Sequence, residues 1–246
     1  MSVRVAVVGA TGRLGRVVCD VVESTAGFEL TSRLGSQDSL ETLEGADIVV
    51  DVTTPAVSES VVQAALGVGA KVLVGTSGWS ADRLAALERS LREDDAVMVV
   101  PNFSVGSVVG TALATLAARF FDSVEIVETH HQDKIDSPSG TARRTAELIA
   151  QVRAEHGGVV SPHSNQTARG EVIEGIPVHS LRLAGVVAQQ DVVFGGSAET
   201  LTIRHDTHSS DAYRQGIQIA LTALATQTGL VVGLHEALGL GRVDSE

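Results

Sequence analysis

The chain has one cysteine and no long apolar run, and each shortage excludes a class of protein. Cys19 stands alone, which excludes an internal disulfide, and its place in an apolar helical pattern is typical of a buried small hydrophobe. No apolar run reaches the roughly 18 residues of a membrane span. The N-terminus begins a strand and does not show a basic and then apolar signal sequence. We therefore expect a cytoplasmic protein without a membrane partner.

Aromatic residues and positive charge are also scarce. Aromatic side chains make up 3% of the chain, and the formal net charge is −12. Because nucleic-acid binding needs a basic footprint for the phosphates, this balance excludes nucleic acid as a partner. Any anionic ligand must instead find a local positive pocket.

Lysine supplies very little of the positive charge that is present. The chain has sixteen arginines and only two lysines, Lys71 and Lys134. A lysine ammonium can give up a proton when it is desolvated, whereas a guanidinium remains charged. Lys134, which follows two histidines closely, is therefore a candidate for a chemical role.

The first hundred residues alternate apolar strands with helical patterns. We predict helices over residues 14–22, 57–66 and 81–91, and strands over residues 3–8, 28–34, 48–52, 72–74 and 97–100. Alternation of this kind is typical of a parallel, doubly wound sheet.

The pattern becomes richer in strands after residue 103. We predict helices over residues 107–120, 140–154 and 212–226, a polar loop without helical or strand period over 156–174, and strands over 124–129, 176–183, 190–194 and 199–205. These elements predict an α/β protein of two domains. Residues 1–103 with 212–246 form a Rossmann-like domain, and residues 104–211 form an α+β domain with a mixed or antiparallel sheet.

A glycine-rich turn follows the first predicted strand and opens the first helix. Gly9, Gly12 and Gly15 have the spacing G-x-x-G-x-x-G, which departs from the strict G-x-G-x-x-G fingerprint. Free N–H groups and the positive dipole end at such a helix start can hold a pyrophosphate. The strand–turn–helix context therefore predicts dinucleotide binding.

The end of the second predicted strand bears on the choice of dinucleotide. NAD-binding proteins typically place an acidic residue there for the ribose 2′-hydroxyl, but this chain has Arg33 followed by Leu-Gly-Ser. Arg33 and Arg13 could bind a 2′-phosphate. We therefore predict NADPH as the cofactor, with NADH as the alternative if Asp38 or Glu29 acts at the ribose.

Two histidines, a lysine and a helix start stand together in the second half of the chain. The segment reads His130-His131-Gln-Asp-Lys134-Ile-Asp-Ser-Pro-Ser139-Gly-Thr-Ala. A positioned histidine or lysine can supply the proton that accompanies hydride transfer to an imine-like centre. His131, Lys134 and the N–H groups of the helix that opens at Ser139 can bind an acidic substrate.

These motifs together resemble the 4-hydroxy-tetrahydrodipicolinate reductase family. The resemblance rests on the H-H-x-x-K-x-D-S-P-S-G-T-A segment, the glycine turn, and the D-V-T-T-P, G-T-S-G and P-N-F-S segments, and it covers nearly the whole chain. It implies NAD(P)H-dependent reduction of a cyclic dicarboxylate in the diaminopimelate route to lysine. It also implies a homotetramer in which residues 104–211 bind substrate and associate.

The resemblance further implies a role for each motif residue. His130 is similar to the proton donor of the family, Lys134 to the second acid and His131 to a substrate-binding histidine. The residues matching a substrate carboxylate site are Ser139, Gly140 and Thr141. Those matching the cofactor site are Gly9, Ala10, Thr11, Gly12, Arg13 and Leu14 at the pyrophosphate, and Gly75, Thr76, Ser77, Val100, Pro101, Asn102 and Phe103 near the nicotinamide.

Three other functions are weaker hypotheses. A short-chain dehydrogenase would use a Tyr-x-x-x-Lys pair, but Tyr213 is followed four residues later by Ile217. A dinucleotide-sensing regulatory protein without turnover would leave the histidine–lysine segment unexplained. A metal site at His130, His131 and Asp133 lacks the helical i, i+4 pair of zinc hydrolases, so we expect no metal.

Overall fold

A computed structural model describes residues 2–240 of the 246-residue chain. They divide into two compact units, residues 2–105 with 210–239 and residues 106–209 with 240. The end of the predicted nucleotide domain, residues 241–246, lies outside the described residues. The strands are β1 (Val3–Val8), β2 (Phe28–Leu34), β3 (Ile48–Asp51), β4 (Lys71–Val74), β5 (Ala96–Val99), β6 (Ser123–His130), β7 (Glu171–Ile173), β8 (Ile176–Arg182), β9 (Ala188–Gly195), β10 (Thr200–Thr207) and β11 (Gly229–Val232).

The first unit is built on a six-stranded parallel sheet. Its strand order is β11-β5-β4-β3-β1-β2. Strands β3, β4 and β5 are short, rich in valine and almost completely buried, as expected for strands covered on both faces. The helices of this unit are α1 (Arg13–Ser24), α2 (Ser58–Gly67), α3 (Ala81–Ser90) and α6 (Arg214–Thr226).

The parallel arrangement brings the carboxyl ends of the strands to one edge of the sheet. Gly9, Asp51, Gly75 and Val100 lie at or just after the ends of β1, β3, β4 and β5. Ligands of doubly wound sheets bind outside this edge. The fold therefore gathers the segments that the sequence analysis assigned to a cofactor.

The second unit has a five-stranded mixed sheet. Its strand order is β10-β9-β6-β8-β7, with β6 and β8 parallel and the other neighbours antiparallel. Helix α5 (Gly140–Glu155) packs on one face, while α4 (Val105–Ala117) leads into this unit. The core of this unit includes the fully buried side chains of Ile126, Ile149, Ile176 and Phe194. The predicted α/β architecture with a parallel and a mixed sheet is confirmed.

Two strands were not predicted from the sequence. Residues 156–174 were expected to lack secondary structure, but they include a 3₁₀ turn at Thr167–Arg169 and β7. The four-residue strand β11 follows α6 and pairs with β5. Strands of three or four residues are too short to show a period, and they form because an established neighbouring strand offers its edge.

The described part of the chain shows neither a membrane span nor a metal cluster. Within residues 2–240, no helix has the length and apolar character that crossing a bilayer requires. The same residues contain no group of three or more histidine, cysteine, aspartate or glutamate side chains placed to hold a metal ion.

Candidate active site

The glycine turn between β1 and α1 requires glycine at two of its three positions. Gly9 has φ of +89°, its N–H donates to the Leu34 carbonyl at 2.8 Å, and any side chain would collide with the Val52 carbonyl. Gly15 packs directly on the Gly9 carbonyl and also leaves no room for a Cβ. Gly12 has an ordinary φ of −71°, and an added Cβ would meet only the Gly9 carbonyl, at 3.3 Å.

The open position at Gly12 fits a phosphate. The first N–H groups of α1 have no partner within the helix, and they carry the positive end of its dipole. Gly12 is exposed and no side chain caps the helix, so an anion can approach the backbone closely. Ala10 is buried in the turn, the side chains of Thr11 and Arg13 are exposed, and Leu14 is half-buried. The turn is therefore suited to a dinucleotide.

A buried carboxylate organises the loop after β3. Asp51 accepts hydrogen bonds from the N–H and hydroxyl of Thr53, at 3.1 and 2.6 Å, and from the Ser58 hydroxyl. Ser58 in turn accepts a hydrogen bond from the Trp79 indole at 3.0 Å. The Thr53 N–H also donates to the Thr76 hydroxyl at 2.9 Å, which joins this loop to the loop after β4.

The segment after β5 packs on the segment after β4. The buried Phe103 ring lies against Gly75, where an added Cβ would be 2.7 Å from the ring. The side-chain oxygen of Asn102 accepts a hydrogen bond from the Ser104 N–H at 2.9 Å. The structure therefore brings these predicted cofactor residues together. In the same two segments, Thr76 and Val100 are buried, whereas Ser77 and Pro101 are exposed.

At the end of β2, an acidic residue and not Arg33 lies beside the glycine turn. The Arg33 guanidinium donates to the Glu23 carboxylate on α1 at 2.7 Å. The Asp38 carboxylate accepts a hydrogen bond from the Gly35 N–H at 2.7 Å. A Cβ added at Gly35 would lie 3.6 Å from both the Asp38 carboxylate and the Thr11 side chain. Asp38 and the glycine turn are therefore neighbours.

The histidine–lysine segment of the second unit begins where β6 ends. Successive side chains in a strand point to opposite faces of the sheet. Because the strand ends at His130, the side chain of His131 does not have to point to the face opposite that of His130. The Lys134 N–H donates to the His131 carbonyl at 3.1 Å, which closes a turn. The Lys134 ammonium donates to the Asp136 carboxylate at 2.6 Å, and this bond lowers the pKa of Asp136.

A buried carboxylate, Glu128, holds His130 from within the strand. Residues two apart on a strand share a face, and His130 Nδ1 lies 2.6 Å from Glu128 Oε2. The Arg182 guanidinium makes two 2.9 Å hydrogen bonds to Glu128, one to each oxygen, and the Ser139 N–H donates to Oε1 at 3.1 Å. Burial raises the pKa of Glu128, but the hydrogen bonds from His130 and Arg182 outweigh it and the pKa is lowered to about 2.

Helix α5 opens directly after this segment. Ser139 caps the helix, because its hydroxyl accepts the Ala142 N–H at 3.3 Å and its carbonyl accepts the Arg143 N–H at 2.9 Å. Gly140 is exposed, with nothing within 4 Å of an added Cβ, and Thr141 is half-buried. The helix start therefore presents backbone donors and its positive dipole end at an accessible position.

Glu128 and Arg182 were missed by the sequence analysis. Glu128 could have been identified from the sequence, because a carboxylate two residues before a histidine on a strand lies on the same face as that histidine. Arg182 could not, because it lies 54 residues further along the chain. It reaches Glu128 because β8 pairs with β6 and places Arg182 opposite His130.

Two family models together match nearly the whole chain. The model described as "Dihydrodipicolinate reductase, N-terminus" matches residues 3–103. The model described as "Dihydrodipicolinate reductase, C-terminus" matches residues 106–238.

Individual relatives agree with the family models. A 4-hydroxy-tetrahydrodipicolinate reductase of Clavibacter michiganensis is 55% identical over 98% of this chain and 87% of the relative. One of Streptomyces griseus is 45% identical over 97% and 99%. A solved structure, a dipicolinate-bound dihydrodipicolinate reductase from Paenisporosarcina sp. TG-14, is 30% identical with a TM-score of 0.81, covering 96% of this chain and 99% of that chain.

Proposed function

The chain belongs to the dihydrodipicolinate reductase family, and we propose which of its residues carry out the reaction. The reaction is the NAD(P)H-dependent reduction of 4-hydroxy-tetrahydrodipicolinate to tetrahydrodipicolinate in the diaminopimelate route to lysine. The relatives compared above are named as reductases, which gives no support to a regulatory protein without turnover. We propose the cytoplasm as the place of the reaction, because the relatives are biosynthetic reductases, a class of enzyme that typically works there.

We propose that His130 and Lys134 handle the protons of this reaction. The product has a hydrogen where the substrate has a hydroxyl, so one hydride is added, one proton is taken up and water leaves. The nicotinamide supplies the hydride when it is bound. His130 can exchange a proton through Nε2 because Nδ1 faces Glu128, and Lys134 carries a proton on a short turn just beyond it. A positioned histidine or lysine is suited to general acid catalysis.

We propose that the segment after β6 and the start of α5 bind the two carboxylates of the substrate. Lys134 offers positive charge and His131 offers a ring N–H, and the start of α5 at Gly140 and Thr141, which Ser139 caps, offers the positive end of a helix. The Lys134 ammonium already binds the Asp136 carboxylate, whose side chain is largely exposed. A substrate carboxylate can take the place of Asp136 at little cost, because an exposed ion pair contributes only about 0–1 kcal/mol.

We propose that NADH is used at least as well as NADPH. The sequence favours NADPH through Arg13 and Arg33, but the Arg33 guanidinium is bound to Glu23. Asp38 lies beside the glycine turn, close to the end of β2. An acid at this point can accept a hydrogen bond from a ribose 2′-hydroxyl and would repel a 2′-phosphate. Family membership by itself indicates only NAD(P)H.

We propose that the open face of the mixed sheet associates with other copies of the chain to form a homotetramer. Helix α5 covers the face that bears Ile126 and Phe194. The opposite face carries the partly exposed side chains of Val127 and Val193, and Leu181 is 45% exposed there. Apolar side chains exposed on a sheet face are typical of an association surface.

The observation that carries the proposed proton transfer is the placement of His130 at the end of β6 with Nδ1 on Glu128. The test is turnover of freshly generated 4-hydroxy-tetrahydrodipicolinate by the purified protein, followed by the loss of reduced-nicotinamide absorbance. We expect turnover with both NADH and NADPH and a strongly reduced kcat in His130→Asn. Retention of kcat in that variant would contradict the role given to His130.

A further inference from the structure

The Glu128 carboxylate is surrounded by hydrogen-bond donors. Its side chain is completely buried, yet it faces four donors, one from His130, two from Arg182 and the Ser139 N–H. A buried ion pair is weak evidence for stability, because removing two charges from water offsets most of their attraction. The contacts indicate that Glu128 has a role in the candidate active site, because each partner belongs to or touches the segment that carries His130 and Lys134.

The contact with Glu128 determines which nitrogen of His130 is available. An ionised carboxylate only accepts hydrogen bonds, so the nitrogen 2.6 Å away, Nδ1, must carry a hydrogen. The other nitrogen, Nε2, is then the atom that gains and loses a proton. The pKa of Glu128, about 2, keeps its carboxylate ionised at neutral pH.

Arg182 binds the carboxylate and the following loop at the same time. Besides its two bonds to Glu128, it donates through Nε to the Lys134 carbonyl at 3.3 Å and through Nη2 to the Asp136 carbonyl at 2.6 Å. A planar guanidinium can serve acceptors along several of its edges at once, which an ammonium cannot do with the same geometry. The backbone on both sides of Ile135 is therefore tied to the group that orients His130.

We propose that Glu128 and Arg182 are positioning residues for proton transfer, with Glu128 selecting the tautomer of His130 and Arg182 fixing the Lys134 loop relative to that histidine. This proposal rests on the proposed role of His130. It assigns no direct contact with substrate to either residue. Their substitution should reduce kcat more than it changes KM.

A double-mutant cycle on kcat separates positioning from a general structural role. We expect Glu128→Gln to lower kcat by roughly 10–100-fold, similar to the cost of losing a partner that orients a metal-binding histidine, with KM for the dicarboxylate changed by less than about threefold. In a His130→Asn background the same substitution should lower kcat by less than about threefold, because the histidine that it orients is gone. An undiminished loss in that background would overturn the proposal.

Histidine tautomers provide a readout that does not depend on turnover. In ¹⁵N spectra of the full-length protein, the His130 signals, assigned by their absence in His130→Asn, should show a hydrogen on Nδ1 and a bare Nε2 when the ring is neutral. Glu128→Gln should change this pattern, since a side-chain amide can also donate. An unchanged tautomer would overturn the proposal. If His130→Asn keeps full activity while the tautomer is as expected, the proton role of His130 fails and the tautomer assignment stands.

Arg182→Lys and Glu125→Gln complete the experiment. Arg182→Lys keeps the charge but cannot serve the two carbonyls and both carboxylate oxygens together, so kcat should fall about tenfold in a folded protein. An unchanged kcat would contradict the role given to Arg182. Glu125 is a matched control on the same strand, because it accepts hydrogen bonds from His179 at 2.7 Å and from Arg169. Glu125→Gln should leave kcat within about twofold, and an equal loss there would indicate a general effect of weakening the sheet.

Discussion

The ammonium of Lys134 lies 2.6 Å from the Asp136 carboxylate, on a turn that begins at the end of a strand. The other lysine has a different environment. The Lys71 ammonium donates to the carbonyls of Leu224, Ala225 and Gln227, at 3.1, 2.8 and 2.8 Å, and so caps the C-terminal end of α6. One lysine therefore stabilises a helix end, and the other lies in the segment that we propose binds the substrate.

Replacement of Lys134 should impair chemistry without unfolding the protein. We expect Lys134→Met to lower kcat by at least about 100-fold, because a positioned acid contributes roughly 10²–10⁴-fold. Lys134→Arg should not restore kcat, because the guanidinium does not release a proton. Lys71→Met is the control, with kcat retained and a lower melting temperature because three carbonyls lose their donor. Equal losses of kcat in both lysine variants would refute a special role for Lys134.

Asp38 should determine the preference between the two dinucleotides. We expect Asp38→Asn to lower the ratio of kcat/KM for NADH to that for NADPH by roughly tenfold, the value of one charge-assisted hydrogen bond. Arg33→Ala should leave this ratio within about twofold, because Arg33 is paired with Glu23. Steady-state kinetics with both cofactors measures the ratio. If Arg33→Ala selectively lost activity with NADPH, this result would support the NADPH preference predicted from the sequence and contradict the role given to Asp38.

Two glycines of the same turn should respond differently to alanine. Gly12→Ala should fold with at most a small loss of stability, because its φ is ordinary and the Gly9 carbonyl, 3.3 Å from the added Cβ, needs to shift only slightly. It should weaken dinucleotide binding, because the methyl group occupies the space through which the phosphate approaches. Gly15→Ala should lower the melting temperature, since its Cβ would collide with the Gly9 carbonyl. Calorimetric titration and thermal unfolding separate the two effects, and identical behaviour of the variants would count against the assignment.

The open face of the mixed sheet should control oligomeric state. We expect Leu181→Lys to reduce the molar mass measured by light scattering, because a charge in an apolar interface is costly to bury. Leu116→Lys is the matched control, since Leu116 is 53% exposed and lies on helix α4. It should leave the mass unchanged. A tetramer that persists in Leu181→Lys would exclude this face as the contact.

Glu128 should make an acid-sensitive contribution to stability. Its pKa falls from 4.5 to about 2 on folding, so the folded state favours the ionised form. The contribution is therefore present above about pH 4.5 and is lost as the pH falls toward 2, with a size of roughly 3 kcal/mol. We expect the free energy of unfolding to decline less steeply over this range in Glu128→Gln. Parallel curves for the two proteins would contradict the prediction.

Local patterns in the sequence predicted most of the fold. Strands β1 and β2 have the predicted bounds, Val3–Val8 and Phe28–Leu34, because a short run with apolar residues at alternate positions, bounded by turn residues, is a local signal. The three-residue β7 and four-residue β11 carry no such signal. They exist because β8 and β5 offer free edges to the segments that pass beside them.

The candidate site divides in the same way. The glycine turn and the segment from His130 to Thr141 are each contiguous in the chain, so local context and the family resemblance were enough to make them candidates. The pairing of Arg33 with Glu23, and the position of Asp38 beside Thr11, depend on where separate elements meet. The partners of the side chains near the end of β2 therefore could not be assigned from their order in the sequence.

The sequence by itself determined the parallel sheet with its glycine turn, the family and the candidates for proton transfer, because each depends on short-range periodicity or on residues adjacent in the chain. Only the tertiary structure decided how those residues are held. Arg182 reaches Glu128 across 54 residues, and the ionised Glu128 fixes the nitrogen that His130 has free. Buried charges obtain partners from whatever strands lie next to them, and strand order is a property of the folded chain.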